Sequence, residues 1–303
     1  MIYDWNSIGH TKQLSYLEQE LRTGTPHHAY LFVGPEKIGK FSIAKTFASI
    51  VQCQNNYCHT CSTCAQIKKN SHLDTILIAD DGSTIKVAAM RDVIDRLSRT
   101  SQSNYKVILI ENVDRFTPEA ANALLKTLEE PTGKTIFLFT ATYLRTILPT
   151  ITSRMRLVHF QKPTSEELEA GLRQRFPEVD EDTLIRVIGL SLGMSGRAIE
   201  LLEDQDHLLE IKDLYEEINF LYTSATTAKR MTQIQELAKD PQRLRNFLDL
   251  FTTYLHQQLH GTSGDPAAQA HVITLLEATH RVNHLLERNV NPRLLLEELM
   301  ITI

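Results

Sequence analysis

The sequence predicts an α/β fold, a parallel sheet with helices on both faces, followed by a wholly helical C-terminal region. Three observations carry that expectation. Five short apolar runs, AYLFV (29 to 33), TILIA (75 to 79), VILI (107 to 110), TIFLF (135 to 139) and LVHF (157 to 160), recur in the first half, most of them separated by helical patterns. Strands that are apolar throughout belong to sheets buried on both faces. A glycine loop, GPEKIGK (34 to 40), joins the first run directly to a helical pattern, and after FQKPTSEE the apolar runs stop while amphipathic helices continue.

Each element has its own signal. Leu14, Leu17 and Leu21 repeat at helical spacing, and Gly24 with Pro26 closes that first helix. After the glycine loop, Phe41, Ala44, Ala48 and Val51 fall on one face of the next helix. Val87, Met90, Ile94 and Leu97 stripe a helix over 87 to 99. In TPEAANALLKTLEEP, Thr117 is the expected cap, Pro118 the first turn, and Ala121, Leu124, Leu125 and Leu128 the apolar stripe. Three short helices fit between 165 and about 204, as SEELEAGLRQRF, EDTLIRVIGLS and SGRAIELLE. From about 206 onward the helices lengthen, for instance through Leu244, Phe247, Leu248, Phe251 and Leu255, with a polar interruption at GTSGDP (261 to 266).

Composition bounds the function classes. Of 303 residues, 42% are hydrophobic and 23% charged, and no apolar run approaches the roughly 18 residues of a membrane span. The opening MIYDWNSIGHTKQ has no basic region followed by a greasy one, so a cytoplasmic protein with no membrane partner is expected. A net charge of -5, from 32 Lys plus Arg against 37 Asp plus Glu, excludes a protein held on nucleic acid mainly by its overall field, while leaving room for local basic surfaces.

Gly34, Gly39 and Lys40 stand at the spacing of a phosphate-cradling loop, G-x-x-x-x-G-K-[S/T], with Phe41 in place of the hydroxyl. Backbone N–H groups and the lysine of such a loop hold phosphates, whereas Ser or Thr and an acid on a second strand manage Mg²⁺. Phe41 offers no oxygen. Ser42 does not replace it, because one residue along a helix turns the side chain by about 100°. On the second strand, VILIENVDRF ends in Glu111 and Asn112, where an ATPase carries Asp followed by catalytic Glu. Glu111 is able to hold a metal through water, but Asn112 has no basic lone pair with which to polarise water. Hydrolysis by this chain alone is therefore not expected.

All four cysteines, Cys53, Cys58, Cys61 and Cys64, fall within CQNNYCHTCSTC. The spacing C-x4-C-x2-C-x2-C lets one loop bring four thiolates round one ion at about 2.3 Å, and structural zinc is the first expectation. An iron–sulfur cluster competes, although no Pro follows Cys64 and the first gap differs from the ferredoxin pattern.

On HAYLFVGPEKIGK, the inserted cysteine module, KVILIENVDRF, AANALLKTLEEP, LPTITSRMRLVHF and GMSGRAIELLE, the chain resembles the delta prime clamp-loader family of bacterial DNA polymerase III, within AAA+. The resemblance covers residues 1 to about 205. It implies three parts: an AAA+ RecA-like α/β domain over 1 to 162 with a zinc module at about 52 to 72, a three-helix lid over 163 to 205, and a helical collar over 206 to 303 through which five subunits form an open ring. It also implies residue roles. Ser153 and Arg154 match the family's Ser-Arg-Cys motif, with Met155 in place of the Cys, which makes Arg154 an arginine finger reaching ATP bound by the neighbouring subunit. Thr140 matches the sensor 1 place and Arg197 the sensor 2 place. Lys86 and Arg91 match a helix that lines the chamber for primer-template DNA. The implied partners are gamma/tau-type ATPase subunits, the delta subunit, the sliding clamp and DNA. Two rivals remain open at this level: a competent AAA+ ATPase subunit, and a zinc-stabilised DNA-binding regulator.

Overall fold

The computed structural model describes residues 2 to 55, 57 to 101, 103 to 261, 265 to 286 and 290 to 302, with the side chains of residues 227, 260 and 261 left aside. Residues 262 to 264 of the GTSGDP stretch lie outside that set. The elements run α1 (Thr11–Arg22), β1 (Ala29–Val33), α2 (Lys40–Gln52), α3 (Ser62–Lys68), β2 (Thr75–Ile78), α4 (Val87–Ser98), β3 (Lys106–Ile110), α5 (Pro118–Glu129), β4 (Thr135–Ala141), α6 (Pro149–Thr152) and β5 (Arg156–His159). Helices alone follow: α7 (Ser165–Arg175), α8 (Glu181–Ser191), α9 (Ser195–Glu203), α10 (Gln205–Thr223), α11 (Thr227–Leu237), α12 (Pro241–Gly261), α13 (Pro266–Leu286) and α14 (Pro292–Thr302).

The five strands form one sheet in the order β2-β3-β4-β1-β5, every pair parallel. All residues of β1, β3 and β4 are buried, in keeping with their mainly apolar runs and with Lys106, Thr135 and Thr140 as the polar members. Side chains alternate between two cores. Ala29, Leu31 and Val33 join Met90, Leu124 and Phe139 under α4 and α5, whereas Tyr30 and Phe32 join Leu14, Leu17 and Phe47 under α1 and α2. The edge strand β5 buries only Val158 within its span, so LVHF is an edge and not a central strand.

Caps fix several helix starts. Thr117 Oγ1 accepts from Ala120 N–H with Pro118 in the first turn, as the sequence indicates. Thr164 and Glu167 close a full capping box on α7. The short helices α3 and α6 were not legible in the sequence. The first arises because Cys61 Sγ accepts from Cys64 N–H and so acts as a cap.

The chain divides into two compact units, Met1–Ile199 and Glu200–Ile303. The first holds the sheet together with α7, α8 and the start of α9. Within the second, α10 packs on α12, α12 on α13, and α14 on both α11 and α13. Phe247 and Phe251 stack there at 5.8 Å between ring centroids, both fully buried. Among the described residues no helix is long and apolar enough to cross a membrane.

Candidate functional site

In a parallel sheet all strand ends of one kind share an edge, and loops after the strands gather at the C-terminal edge. The phosphate loop follows β1 there, Glu111 and Asn112 follow β3, and Thr140 lies near the end of β4. Sequence and topology thus bring Gly34, Gly39, Lys40, Glu111, Asn112 and Thr140 to one edge.

The loop's own groups are occupied internally. Lys40, only 5% exposed, donates from Nζ to Gly34 O at 2.7 Å and to Pro35 O at 2.6 Å. Burial pulls its ammonium down to about 8 against the raising effect of Glu36, Asp114 and Glu111. The start of α9 presses on the same loop. Gly196 and Arg197 N–H donate to Lys37 O at 2.7 and 3.2 Å, and Ser195 Oγ donates to Ile38 O at 3.1 Å. His10 Nε2 donates to that Ile38 carbonyl from the other side at 3.0 Å. A Cβ on Gly196 would stand 2.6 Å from Lys37 O, and one on Gly34 would stand 2.3 Å from Phe160 O, so both close approaches need glycine. Phe41 packs half-buried against the α1 and α2 core with the Lys45 ammonium 5.3 Å from its ring. It presents no metal ligand.

The second strand's polar residues are likewise tied together. Asn112 has left-handed backbone (φ 49°), donates from its N–H to Thr140 Oγ1 at 3.0 Å, and donates from its side-chain amide to the Asp80 carboxylate. Asp80 also pairs with Arg115 Nε at 2.8 Å. Glu111 accepts from Asp80 N–H at 3.0 Å, and burial raises its carboxyl above the usual range. Sequence reasoning missed Asp80 and Arg115. Asp80, directly after the TILIA run, had a signal for its place at this edge, but its pairing with Arg115 had none.

Arg154 sits at the opposite edge, between α6 and β5. His27 and His28 before β1 and Glu129 at the end of α5 meet it there, lining with Ser153 and Arg156 a cleft of about 560 Å³. A five-residue strand separates the two edges by about 17 Å. The Arg154 guanidinium donates from Nε to Glu129 Oε1 at 2.9 Å and from a terminal nitrogen to the same oxygen. Its other terminal nitrogen donates to Thr150 O at 2.7 Å and to Ser153 Oγ at 3.1 Å. Arg156 is held separately, on Tyr16 Oη at 2.7 Å and Glu20 Oε1 at 3.1 Å.

The four cysteine sulfurs lie within 4.8 Å of one another, with Cys53 3.8 Å from both Cys58 and Cys61. Four sulfurs about 2.3 Å from one tetrahedral ion stand about 3.8 Å apart, so the set fits a metal. Cys53 caps the end of α2, Cys61 starts α3 and Cys64 lies in its first turn. Backbone N–H groups of Thr60 and Cys61 pull the Cys58 thiol down to about 6, while burial and neighbouring thiols push Cys64 up to about 12. A cation among them removes that conflict.

Of the remaining expected residues, Arg197 touches the phosphate loop through its backbone, and Lys86 and Arg91 lie before and on α4. Arg197 is 8% exposed, with its backbone N–H on the phosphate loop. Lys86 is the residue before α4 and Arg91 lies in its second turn, both exposed.

Comparison with known proteins gives these arrangements a family. The family described as DNA polymerase III, delta subunit, matches residues 9–164. A DNA polymerase III gamma subunit from Buchnera aphidicola is 32% identical over 242 residues, 73% of this chain and 67% of that one. A DNA polymerase III delta' subunit from Pseudomonas aeruginosa is 28% identical over 298 residues, covering 90% of each. Tau-type relatives are longer, the chain spanning 26% of the Escherichia coli tau subunit. A DNA polymerase III gamma subunit-related protein from Thermotoga maritima shares the fold, with a TM-score of 0.50 at 18% identity over 95% of this chain and 97% of that structure. The chain therefore belongs to the DNA polymerase III delta-subunit family, the AAA+ clamp-loader group that takes in the delta' and gamma/tau subunits.

Proposed function

We propose that this chain is the non-hydrolytic, delta prime type of clamp-loader subunit, contributing Arg154 in trans to ATP bound by a neighbouring gamma/tau-type subunit. The observation that carries the reading is the closed phosphate loop: Lys40 is spent on Gly34 and Pro35 carbonyls, where an ATPase directs it at phosphate. Phe41 and Asn112 supply neither a metal ligand nor a base. The position of Arg154 supports the second half. A head-to-tail ring needs the two halves of each shared site on opposite faces of a subunit, and here the finger and the loop lie at opposite edges of one sheet. A planar, permanently charged guanidinium offsets charge spreading over a transferred phosphoryl group, which such fingers accelerate by about 10³ to 10⁵.

The rest of the reading follows the family. Residues 163 to 205 act as the lid, with Arg197 and Thr140 structural where active relatives use those places for nucleotide. Residues 206 to 303 form the collar. The delta subunit, the sliding clamp and primer-template DNA are the further partners, with Lys86 and Arg91 on phosphates; weakening of duplex binding as salt rises is the measurement for that contact. Cys53, Cys58, Cys61 and Cys64 would hold zinc, which with four sulfurs leaves no open position and lends folding energy to the module.

The gamma and tau relatives favour a second reading, a competent ATPase subunit using Glu111. One experiment separates the two: ATP turnover by the isolated chain, then by the complex reconstituted with its ATPase subunits, with and without Arg154→Ala. The expected result is no turnover alone and a loss of at least about 10-fold in the variant complex. Turnover by the chain alone supports the second reading, and an undiminished variant complex refutes the finger.

A further inference from the structure

We infer that Glu129 is a placeholder for the neighbouring nucleotide's terminal phosphate, a positioning residue that occupies the Arg154 fork until a triphosphate displaces it. The inference rests on Arg154 acting in trans. Its basis is which nitrogens are taken. Nε and one terminal nitrogen form the edge of a guanidinium that grips a carboxylate or phosphate with two parallel bonds. In this chain that edge is on Glu129 Oε1, while the remaining terminal nitrogen is anchored on Thr150 O and Ser153 Oγ. The backbone-side anchors set the guanidinium's position. The carboxylate fills the place a phosphate oxygen would take.

Two further features point the same way. Glu129 is the last residue of α5, and a negative charge there opposes the helix dipole, so the local sequence does not favour an acid for the helix's own sake. The pair is also open to solvent, the Arg154 side chain being 32% exposed and that of Glu129 48% exposed. Ion pairs at such positions are weak, which suits a contact made to be exchanged. The surrounding cleft, with His27 and His28 on its wall, has room for the incoming group.

A placeholder of this kind sets a threshold. The incoming phosphate must outcompete a carboxylate for the same two donors, and once displaced Glu129 repels it. A triphosphate, more highly charged than a diphosphate, is better able to do so. Removing the charge while keeping the shape should therefore lower the KM for ATP, strengthen inhibition by ADP and leave kcat nearly unchanged.

The test is steady-state ATP hydrolysis by the complete reconstituted complex containing wild-type chain, Glu129→Gln or Arg154→Ala, with ADP inhibition measured for each. Glu129→Gln is expected to lower the KM and the ADP inhibition constant by about two- to five-fold, the range of an exposed ion pair, with kcat within about two-fold, while Arg154→Ala loses kcat. If Arg154→Ala abolishes turnover but Glu129→Gln moves neither constant, the placeholder is wrong and the finger stands. If Glu129→Gln loses kcat as Arg154→Ala does, Glu129 holds the finger in its working pose and the placeholder is again overturned. If Arg154→Ala leaves turnover intact, both readings fall together.

Discussion

Phe41 decides what the phosphate loop is for. It sits one residue past Lys40, at the start of α2, where its ring completes the core rather than a metal site. Restoring the hydroxyl alone leaves Lys40 on loop carbonyls and Asn112 on Thr140 and Asp80. Phe41→Thr in the isolated chain is therefore expected to release no phosphate from ATP above background, and measurable turnover would overturn the account of the second strand. His10 carries a pH prediction at the same loop. Burial lowers its imidazole below the ordinary 6.5, even though the Ile38 carbonyl and Glu167 raise it and Lys40 lowers it further. The folded chain thus resists a proton that the unfolded chain accepts, so its contribution is complete above about pH 6.5 and is lost as pH falls towards the lowered folded value. His28 and His72 shift in the same direction, also chiefly through burial. Melting temperature should fall between pH 7.5 and 5.5, and His10→Asn, which keeps a side chain tolerant of left-handed backbone, should shallow that fall. An unchanged slope would locate the effect in the other histidines.

At the scale of elements, the cysteine module is the part whose structure would depend most on the proposed metal. Its helix α3 is seven residues long, too short to persist by itself, and its cap is a cysteine sulfur. If the four free cysteines hold the proposed metal, a strong chelator should raise the number of thiols that react with a thiol reagent to about four and lower the melting temperature of the first unit. Elemental analysis finding iron, or no metal, in chelator-free protein would reject zinc. The central strands and the α4 and α5 stripes were legible because their buried faces are mostly apolar, whereas α2 also buries Lys40, Thr46, Ser49 and Gln52 and leaves Phe41 and Val51 only half-buried. Helix α8 matches its expected span residue for residue, bounded by the Asp180 cap. What could not be read was set by tertiary contact. Nothing local in TILIAD or VDRF announces that Asp80 and Arg115 pair across 35 residues, and the hold of Glu129 on Arg154 joins the ends of two different elements. Cys61 as a helix cap was also hidden, because sulfur is a poor acceptor and the spacing pointed only to metal.

For the whole molecule, the proposed function divides labour between the two edges of the sheet. The C-terminal edge is sealed by its own lysine, by the start of α9 and by His10. The N-terminal edge keeps a cleft and a solvent-exposed guanidinium paired with Glu129. On the proposed reading, such a subunit would offer a fixed surface on one side and a responsive one on the other. Each unit supplies its own core, the first through the sheet and the second through helices such as α12, whose Leu244, Phe247, Leu248, Phe251 and Leu255 are all buried.

The strand order also bears on how the chain comes into being. Among the described residues β1 pairs with β4 and β5 alone, so Leu31 waits for Phe139 and Leu157 to be made. At about 5 to 20 residues per second on the ribosome, the first of those partners is made about 5 to 20 s after β1. During that interval an apolar strand and a glycine loop have no sheet to join. The cysteine cluster, complete within twelve residues of its first member, needs no distant segment. A nascent chain that captures its ion early would carry one fixed point next to α2 while the centre of the sheet is still being synthesised.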